Sequence, residues 1–80
     1  MRFIKEIPNQ AVKISLFAWN SKFIVKFEAG MYEQTYKFSE MDYTESEIEN
    51  GLSASFIDAV ITRFHAMDKD ISIHFELDNF

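Results

Sequence analysis

Hydrophobic and polar side chains alternate in two consecutive runs within residues 12–27, VKISLFAWNSKFIVKF. Alternation with a period of two is typical of a strand that buries one face. We predict a β-hairpin with a two-residue turn at Asn20-Ser21, because this turn brings the hydrophobic positions of both runs to one face. These inner positions are Val12, Ile14, Leu16, Ala18, Phe23, Val25 and Phe27. The register pairs Ala18 with Phe23, Leu16 with Val25, Ile14 with Phe27, Lys13 with Glu28, and Phe17 with Ile24.

Three other segments carry strand-like patterns. Residues 3–7 predict a short strand that ends at Pro8-Asn9, since proline cannot donate to a sheet, and its place in the sheet stays open. Residues 31–38 (MYEQTYKF) alternate after a predicted turn at Ala29-Gly30, which pairs Tyr32 with Phe27, Glu33 with Lys26, and Gln34 with Val25. Residues 71–77 (ISIHFEL) alternate as well and predict a final strand.

Gln34 is a polar side chain on the otherwise hydrophobic face of this sheet. A buried amide requires a hydrogen-bond partner, a position at the rim or a β-bulge. Of these three solutions, we favour the rim.

A polar segment between the fourth and the last predicted strand carries the signal of a short helix. Thr44 followed by Glu47 matches a capping box. Asn50-Gly51 marks a helix end, because glycine is favoured just past a helix C-terminus. We therefore predict a helix over about residues 45–50.

A second helix is predicted over about residues 53–68. Ser53 or Ser55 can cap its start, and Lys69-Asp70 is interpreted as a tight link into the final strand. The hydrophobic side chains recur at spacings of three and four, as on one side of a helix. They are Leu52, Phe56, Ile57, Val60, Ile61, Phe64 and Met67. We expect this stripe to cover the hydrophobic face of the sheet.

These elements predict the α+β class and one compact domain over residues 1–80. The expected architecture is a mainly antiparallel five-stranded sheet in the order β-β-β-β-α-α-β. The first four strands form a meander, and the helices return the chain to place the last strand beside the first. With 48% hydrophobic and 16% aromatic residues, the chain has the composition of a folded domain.

Signatures of catalysis and cofactor binding are missing from the sequence. The absence of cysteine removes disulfides, thiolate chemistry and cysteine-ligated zinc. Two glycines in eighty residues leave no glycine-rich phosphate loop. We predict no enzymatic activity, no catalytic residue and no cofactor.

Two clusters of potential metal ligands are interpreted as solvated surface groups. The first would place its members on opposite sides of the predicted sheet, and the second lies in a loop and a solvated helix, where helix capping explains its glutamates. The first cluster is His65, His74, Glu76 and Asp78, and the second is Glu40, Asp42, Glu45, Glu47 and Glu49. We predict no metal site.

Charge is distributed unevenly along the chain, whose net charge is −5. Residues 1–37 carry six Lys and Arg against three Glu, whereas residues 38–80 carry two against ten Asp and Glu. The acidic total argues against binding to double-stranded DNA, whose affinity comes mostly from phosphate neutralisation. No hydrophobic run is long enough to cross a membrane, and the first ten residues lack the hydrophobic centre of a signal peptide. We therefore expect a cytoplasmic protein without a membrane partner.

The second face of the predicted sheet is the candidate site. A single helical layer covers only one face, so the large hydrophobic side chains on the other face require another explanation. They can form an interface with a second copy or another protein, stack on single-stranded nucleic acid, or lie under the first helix or the terminal residues. We predict a self-associating or protein-binding module that forms a homodimer through this open face or through a sheet edge. A small-ligand or single-stranded nucleic-acid binding domain is the alternative. The candidate contact residues are Phe17, Trp19, Ile24, Lys13, Lys26 and Lys37.

Overall fold

The computed structural model describes residues 1–75, which form four β-strands followed by two α-helices. The strands are β1 (Arg2–Ile7), β2 (Lys13–Trp19), β3 (Lys22–Ala29) and β4 (Tyr32–Ser39). They form one antiparallel sheet in the order β1-β2-β3-β4. The helices are α1 (Glu45–Gly51) and α2 (Ala54–Phe75). The predicted α+β class is confirmed.

The hairpin of β2 and β3 has the predicted register. Ala18 pairs with Phe23, Leu16 with Val25, and Ile14 with Phe27. Asn20 and Ser21 form the two-residue turn and both have positive φ, of 50° and 59°. Two consecutive positive φ values are those of a type I′ turn, whose twist matches that of the flanking strands.

The turn between β3 and β4 differs from the prediction. Its two central residues are Gly30 and Met31, so that Ala29 pairs with Tyr32 and Phe27 with Gln34. Glycine occupies the position that requires positive φ, with φ of +59° at Gly30. The predicted turn at Ala29-Gly30 placed an alanine there. Compared with the predicted turn, the observed turn shifts the β4 partner of each β3 residue by two positions. Because side chains alternate with a period of two, every side chain stays on its predicted face.

Strand β1 lies at the edge of the sheet, beside β2. A β-bulge between Phe3 and Lys5 shifts the register, with Phe3 opposite Phe17 and Lys5 opposite Leu16. As a result Ile4 packs against the core, while Lys5 reaches the two glutamates of α1.

Both helices cover the same face of the sheet. Thr44 and Glu47 form the predicted capping box, and the Ser53 side chain accepts a hydrogen bond from the Phe56 N–H at the start of α2. All residues of the predicted stripe are buried or half-buried in or against the core, although Leu52 is the C-cap of α1 and precedes α2. The central core consists of Val12, Ile14, Leu16, Val25, Phe27, Ile48, Val60 and Phe64.

The predicted fifth strand is wrong. Residues 71–75 continue α2, and residues 76–77 of that prediction lie outside the described residues. Lys69-Asp70 is helical and does not link two elements, because neither residue interrupts a helix and no Gly or Pro occurs between residues 54 and 75. Ile71 follows Met67 by four residues and extends the hydrophobic stripe by one turn. The place beside β1 that was predicted for the last strand is therefore not taken by residues 71–75.

The Gln34 side chain forms two hydrogen bonds that compensate for its partial burial. Its Nε2 donates to the Val60 carbonyl oxygen of α2 at 2.9 Å, and its Oε1 accepts from the Tyr36 hydroxyl at 3.0 Å. The side chain is half-buried between β4 and α2. Gln34 thus lies on the edge strand β4, and hydrogen-bond partners compensate the buried part of its amide.

Candidate functional site

The outer face of the sheet, which points away from both helices, is built from alternate residues of the four strands. The register places Phe3, Phe17, Ile24 and Lys37 side by side across β1, β2, β3 and β4. Trp19 and Lys22 pair at the end of the hairpin next to this row. On the other side of the row lie Glu6, Ser15, Lys26 and Thr35. The predicted candidate residues thus share one face.

Three aromatic side chains, Phe3, Phe17 and Trp19, form a cluster on the β1–β2 side of the outer face. The rings of Phe3 and Phe17 meet edge to face, with centroids 5.6 Å apart and an interplanar angle of 70°. This geometry is a favourable one for two aromatic rings. Phe3 and Trp19 remain 56% and 50% exposed, whereas Phe17 is half-buried. The cluster therefore presents large hydrophobic area to its surroundings.

Ile24 has a different role from the one predicted for it as a contact residue. It retains only 3% of its exposure, although it belongs to the outer face. Ser15, on the same face, is 4% exposed. Side chains at these positions lie beneath their neighbours. Ile24 therefore supports the aromatic cluster and offers almost no surface to a partner.

Lysines surround the aromatic cluster. The Lys26 ammonium lies 5.3 Å from the centroid of the Phe17 ring, within the range of a cation–π contact, and 4.0 Å from the Glu33 carboxylate. Lys13 is exposed and pairs with Glu28 in the register. Lys37 is exposed beside Ile24. The three predicted lysines are thus on the outer face, and two of them lie near glutamates.

Neither helix covers the outer face. Helix α1 buries Ile48 in the core on the opposite side of the sheet, and α2 buries Val60 and Phe64 there. The first residues of the chain belong to β1 and extend the face with Phe3. Within residues 1–75, the interpretation of the outer face as a core under α1 or the N-terminal residues is therefore wrong.

Phe3 belongs to the outer face although the sequence pattern does not single it out. Its strand has mixed patterning, so the sequence left its place in the sheet open. Only the pairing of β1 with β2 brings Phe3 next to Phe17. The signal that could have revealed Phe3 is an aromatic ring next to Ile4 in a short strand, since two adjacent hydrophobic side chains point to opposite faces unless a bulge intervenes.

Two ionisable groups on the helix side have shifted pKa values. A hydrogen bond from Lys5 Nζ to Glu49, at 2.8 Å, raises the pKa of Lys5, and Glu45 at 3.7 Å adds to this effect. Burial raises the pKa of Tyr32, as does its hydrogen bond of 3.0 Å to Asp68. Both contacts join the sheet to a helix and lie away from the aromatic cluster.

The potential metal ligands are dispersed. His65 and His74 are both exposed residues of α2, and Glu76 and Asp78 lie outside the described residues. Over residues 1–75, no group of three or more His, Cys, Asp or Glu side chains has an arrangement that could hold a metal ion. Within the same residues, no helix combines the length and the hydrophobicity that crossing a membrane requires.

Three recesses of the molecule lie away from the aromatic cluster. A hydrophobic recess of about 130 Å³ between β4, α1 and α2 is smaller than the roughly 300 Å³ of a typical ligand pocket. Two larger grooves, of about 430 and 440 Å³, both include the residues 9–11 loop. None of these three recesses includes Phe3, Phe17 or Trp19. The aromatic cluster is therefore a projecting surface and not a pocket.

Comparison of the chain with protein-family models, with curated proteins and with solved structures found no match.

Proposed function

We propose that this protein is an interaction module that binds a protein partner, including a second copy of itself, through the outer face of its sheet. The observation that carries this proposal is the exposure of Phe3 and Trp19 beside Phe17 on a face that no element of residues 1–75 covers. Exposed clusters of large hydrophobic side chains mark interaction surfaces in soluble proteins.

Trp19 and Phe3 are suited to be the anchors of such an interface. Aromatic side chains supply much of the binding energy at protein interfaces, usually near the centre and inside a ring of polar residues. Here the lysines and glutamates of the outer face supply that ring. Ile24, which is buried beneath them, holds the cluster in place without contacting the partner.

The substitution Trp19→Asp tests this proposal. Trp19 is half exposed at the end of the hairpin, so the substitution should preserve the fold while it places a charge in the interface. The matched control is Ile73→Asp, at an exposed hydrophobic residue of α2 on the other side of the sheet. Sedimentation equilibrium across a concentration series measures association, and far-UV circular dichroism verifies the fold.

We expect Ile73→Asp to associate as the wild type does, and Trp19→Asp to lose the association that the outer face mediates. A wild type that sediments as a monomer at every concentration would contradict self-association. Equal weakening by both substitutions would contradict the assignment to the outer face.

A single-stranded nucleic acid or another anionic ligand is the second candidate for this face. The observation in its favour is the Lys26 ammonium over the Phe17 ring, with Lys13 and Lys37 on the same face. Bases stack on aromatic rings while lysines contact phosphates. Against it, Lys26 and Lys13 already lie near glutamates, and the chain is acidic.

Titration with oligonucleotides at two salt concentrations separates the two candidates. Binding to phosphates releases counterions and therefore weakens steeply as salt rises. Association through hydrophobic contacts responds little to the same change. Binding that resists salt, or no binding to oligonucleotides at all, would rule out the nucleic-acid candidate.

A further inference from the structure

Within residues 1–75, strand β4 is an edge strand, and its outer backbone groups have no partner strand. The Glu40 N–H donates to the Ser21 carbonyl oxygen at 3.0 Å, so Glu40 points its backbone groups towards β3. Every second residue of β4, from Phe38 back to Tyr32, does the same, because backbone groups alternate along an antiparallel ladder. The N–H and C=O groups of Glu33, Thr35 and Lys37 therefore point away from the sheet.

This edge lacks some of the features that protect edge strands. Its eight residues contain no proline and pair with β3 in an uninterrupted register. The opposite edge, β1, carries a β-bulge. Bulges and prolines prevent an edge strand from pairing with another chain. Between the two edges, β4 is thus the one that can accept a further strand.

The sequence of β4, YEQTYKFS, is self-complementary in one antiparallel register. With Thr35 opposite the same residue of a second copy, each Glu33 lies opposite a Lys37. Threonine pairs and pairs of opposite charge both stabilise antiparallel strands. A register centred on Glu33 or on Lys37 would instead place like charges opposite each other, which is destabilising.

We propose that the β4 edges of two copies pair antiparallel about a two-fold axis at Thr35. Each of Glu33, Thr35 and Lys37 then donates one backbone hydrogen bond to the partner copy and accepts one from it. The Glu33 carboxylate is half exposed: its Oε1 lies 4.0 Å from Lys26 and its Oε2 accepts a hydrogen bond from the Thr35 hydroxyl at 3.0 Å, which leaves its exposed side for the Lys37 of the second copy. This edge is distinct from the aromatic cluster, and the proposal goes beyond the function proposed for the outer face.

Charge reversal on the full-length chain tests the pairing. Glu33→Lys and Lys37→Glu each replace two opposite-charge pairs of the dimer by two like-charge pairs. We expect each to raise the dimer dissociation constant by about tenfold at low salt. The double variant Glu33→Lys/Lys37→Glu restores the opposite-charge pairs and should return the constant to the wild-type value. Sedimentation equilibrium measures all four proteins.

A single cysteine reports the two-fold axis directly, because the chain has no native cysteine. In a hydrogen-bonded antiparallel pair the Cα atoms are about 5.5 Å apart, which is within the range of a disulfide. We expect the Thr35→Cys variant to form a covalent dimer under mild oxidation much faster than Ser46→Cys, at an exposed residue of α1.

Three results would overturn this proposal. One is a wild type that stays monomeric, together with equal cross-linking of the two cysteine variants. Another is a dimer that both charge reversals leave unchanged. The third is a double variant that remains as weak as the single ones. A dimer that only Trp19→Asp disrupts would support the outer face and reject the edge.

Discussion

The turn at Asn20-Ser21 holds a serine in a backbone conformation that favours glycine. Ser21 has φ of 59°, in the left-handed region, where the Cβ atom of an L-residue meets the backbone. Its side chain is exposed, and its carbonyl oxygen accepts the Glu40 N–H through a backbone contact that any residue can make. We therefore expect Ser21→Gly to stabilise the protein.

The magnitude follows from two opposing terms. A non-glycine residue pays about 1–2 kcal/mol for the left-handed conformation. Glycine pays about 0.5–1 kcal/mol more than other residues for its greater freedom in the unfolded chain. The difference predicts about 0.5–1 kcal/mol of stabilisation for Ser21→Gly. For a domain of this size, each 1 kcal/mol raises Tm by about 4–8 °C.

Gly30 supplies a matched control, because it has the same φ of +59° in the other hairpin turn. A Cβ atom built at Gly30 meets no atom within 4 Å, so Gly30→Ala reports the backbone term without a steric clash. We expect Gly30→Ala to destabilise by about 0.5–1 kcal/mol, the reverse of Ser21→Gly.

Urea denaturation measures both variants. A changed midpoint with an unchanged slope indicates a change in stability alone. The helix variant Ala66→Gly, at an exposed residue within α2, should cost about 1 kcal/mol and shows what glycine does at an ordinary φ. If Ser21→Gly destabilises the protein as Ala66→Gly does, the positive φ at this turn is refuted.

Two further predictions concern α2. Ile73 is 57% exposed on the helix, whereas a strand over residues 71–77 would bury it. We therefore expect Ile73→Ala to lower the free energy of unfolding, measured by urea denaturation, by less than about 0.5 kcal/mol, and Val60→Ala to lower it several times more. Equal losses of stability would favour the strand. The second concerns Tyr32, whose pKa is raised in the folded protein. The stabilisation that comes from its protonated hydroxyl is therefore complete below about pH 10, and it is lost as the pH rises through the raised pKa. Asp68→Asn should lower the pKa of Tyr32, as measured by NMR titration, and an unchanged pKa would show that burial alone causes the shift.

The sequence predicted those parts of the fold whose signals are local and mutually consistent. The β2–β3 hairpin has alternation in both strands and a turn that aligns them, so its register followed. The capping box of Thr44 and Glu47 is a local device and was recognised as well. The second turn was misplaced by one residue, since alternation fixes only the face of a strand and Gly30 can occupy either central position.

The last segment shows where periodicity fails. Residues 71–75 alternate as a strand would, but Ile71 also continues the helical stripe through Phe64 and Met67. Short hydrophobic runs fit both periods, and only the surroundings decide between them. Here an uninterrupted helix leads into the run, so the helix continues and leaves Ile73 and Phe75 exposed.

The sequence predicted which residues share the outer face but not which of them are exposed there. Strand parity placed Phe17 and Trp19 together, since it depends on sequence alone. The exposure of each residue depends on its neighbours in three dimensions, and these bury Ile24 while they leave Trp19 open. Phe3 joined the cluster through the pairing of β1, which no local pattern specifies.

The charges of the outer face bear on how two copies could meet. The outer face carries both lysines and glutamates, which can meet opposite charges on a second surface. Pairing through the β4 edge leaves this face free, because it places Glu33 opposite Lys37 and continues the sheet. In a continuous antiparallel sheet related by a two-fold axis, both outer faces lie on the same side. The edge dimer would therefore present its two aromatic clusters on one side of the extended sheet but towards its opposite ends, because β1 and β2 lie farthest from the β4 edge. A partner long enough to contact both clusters would gain avidity that a monomer cannot provide.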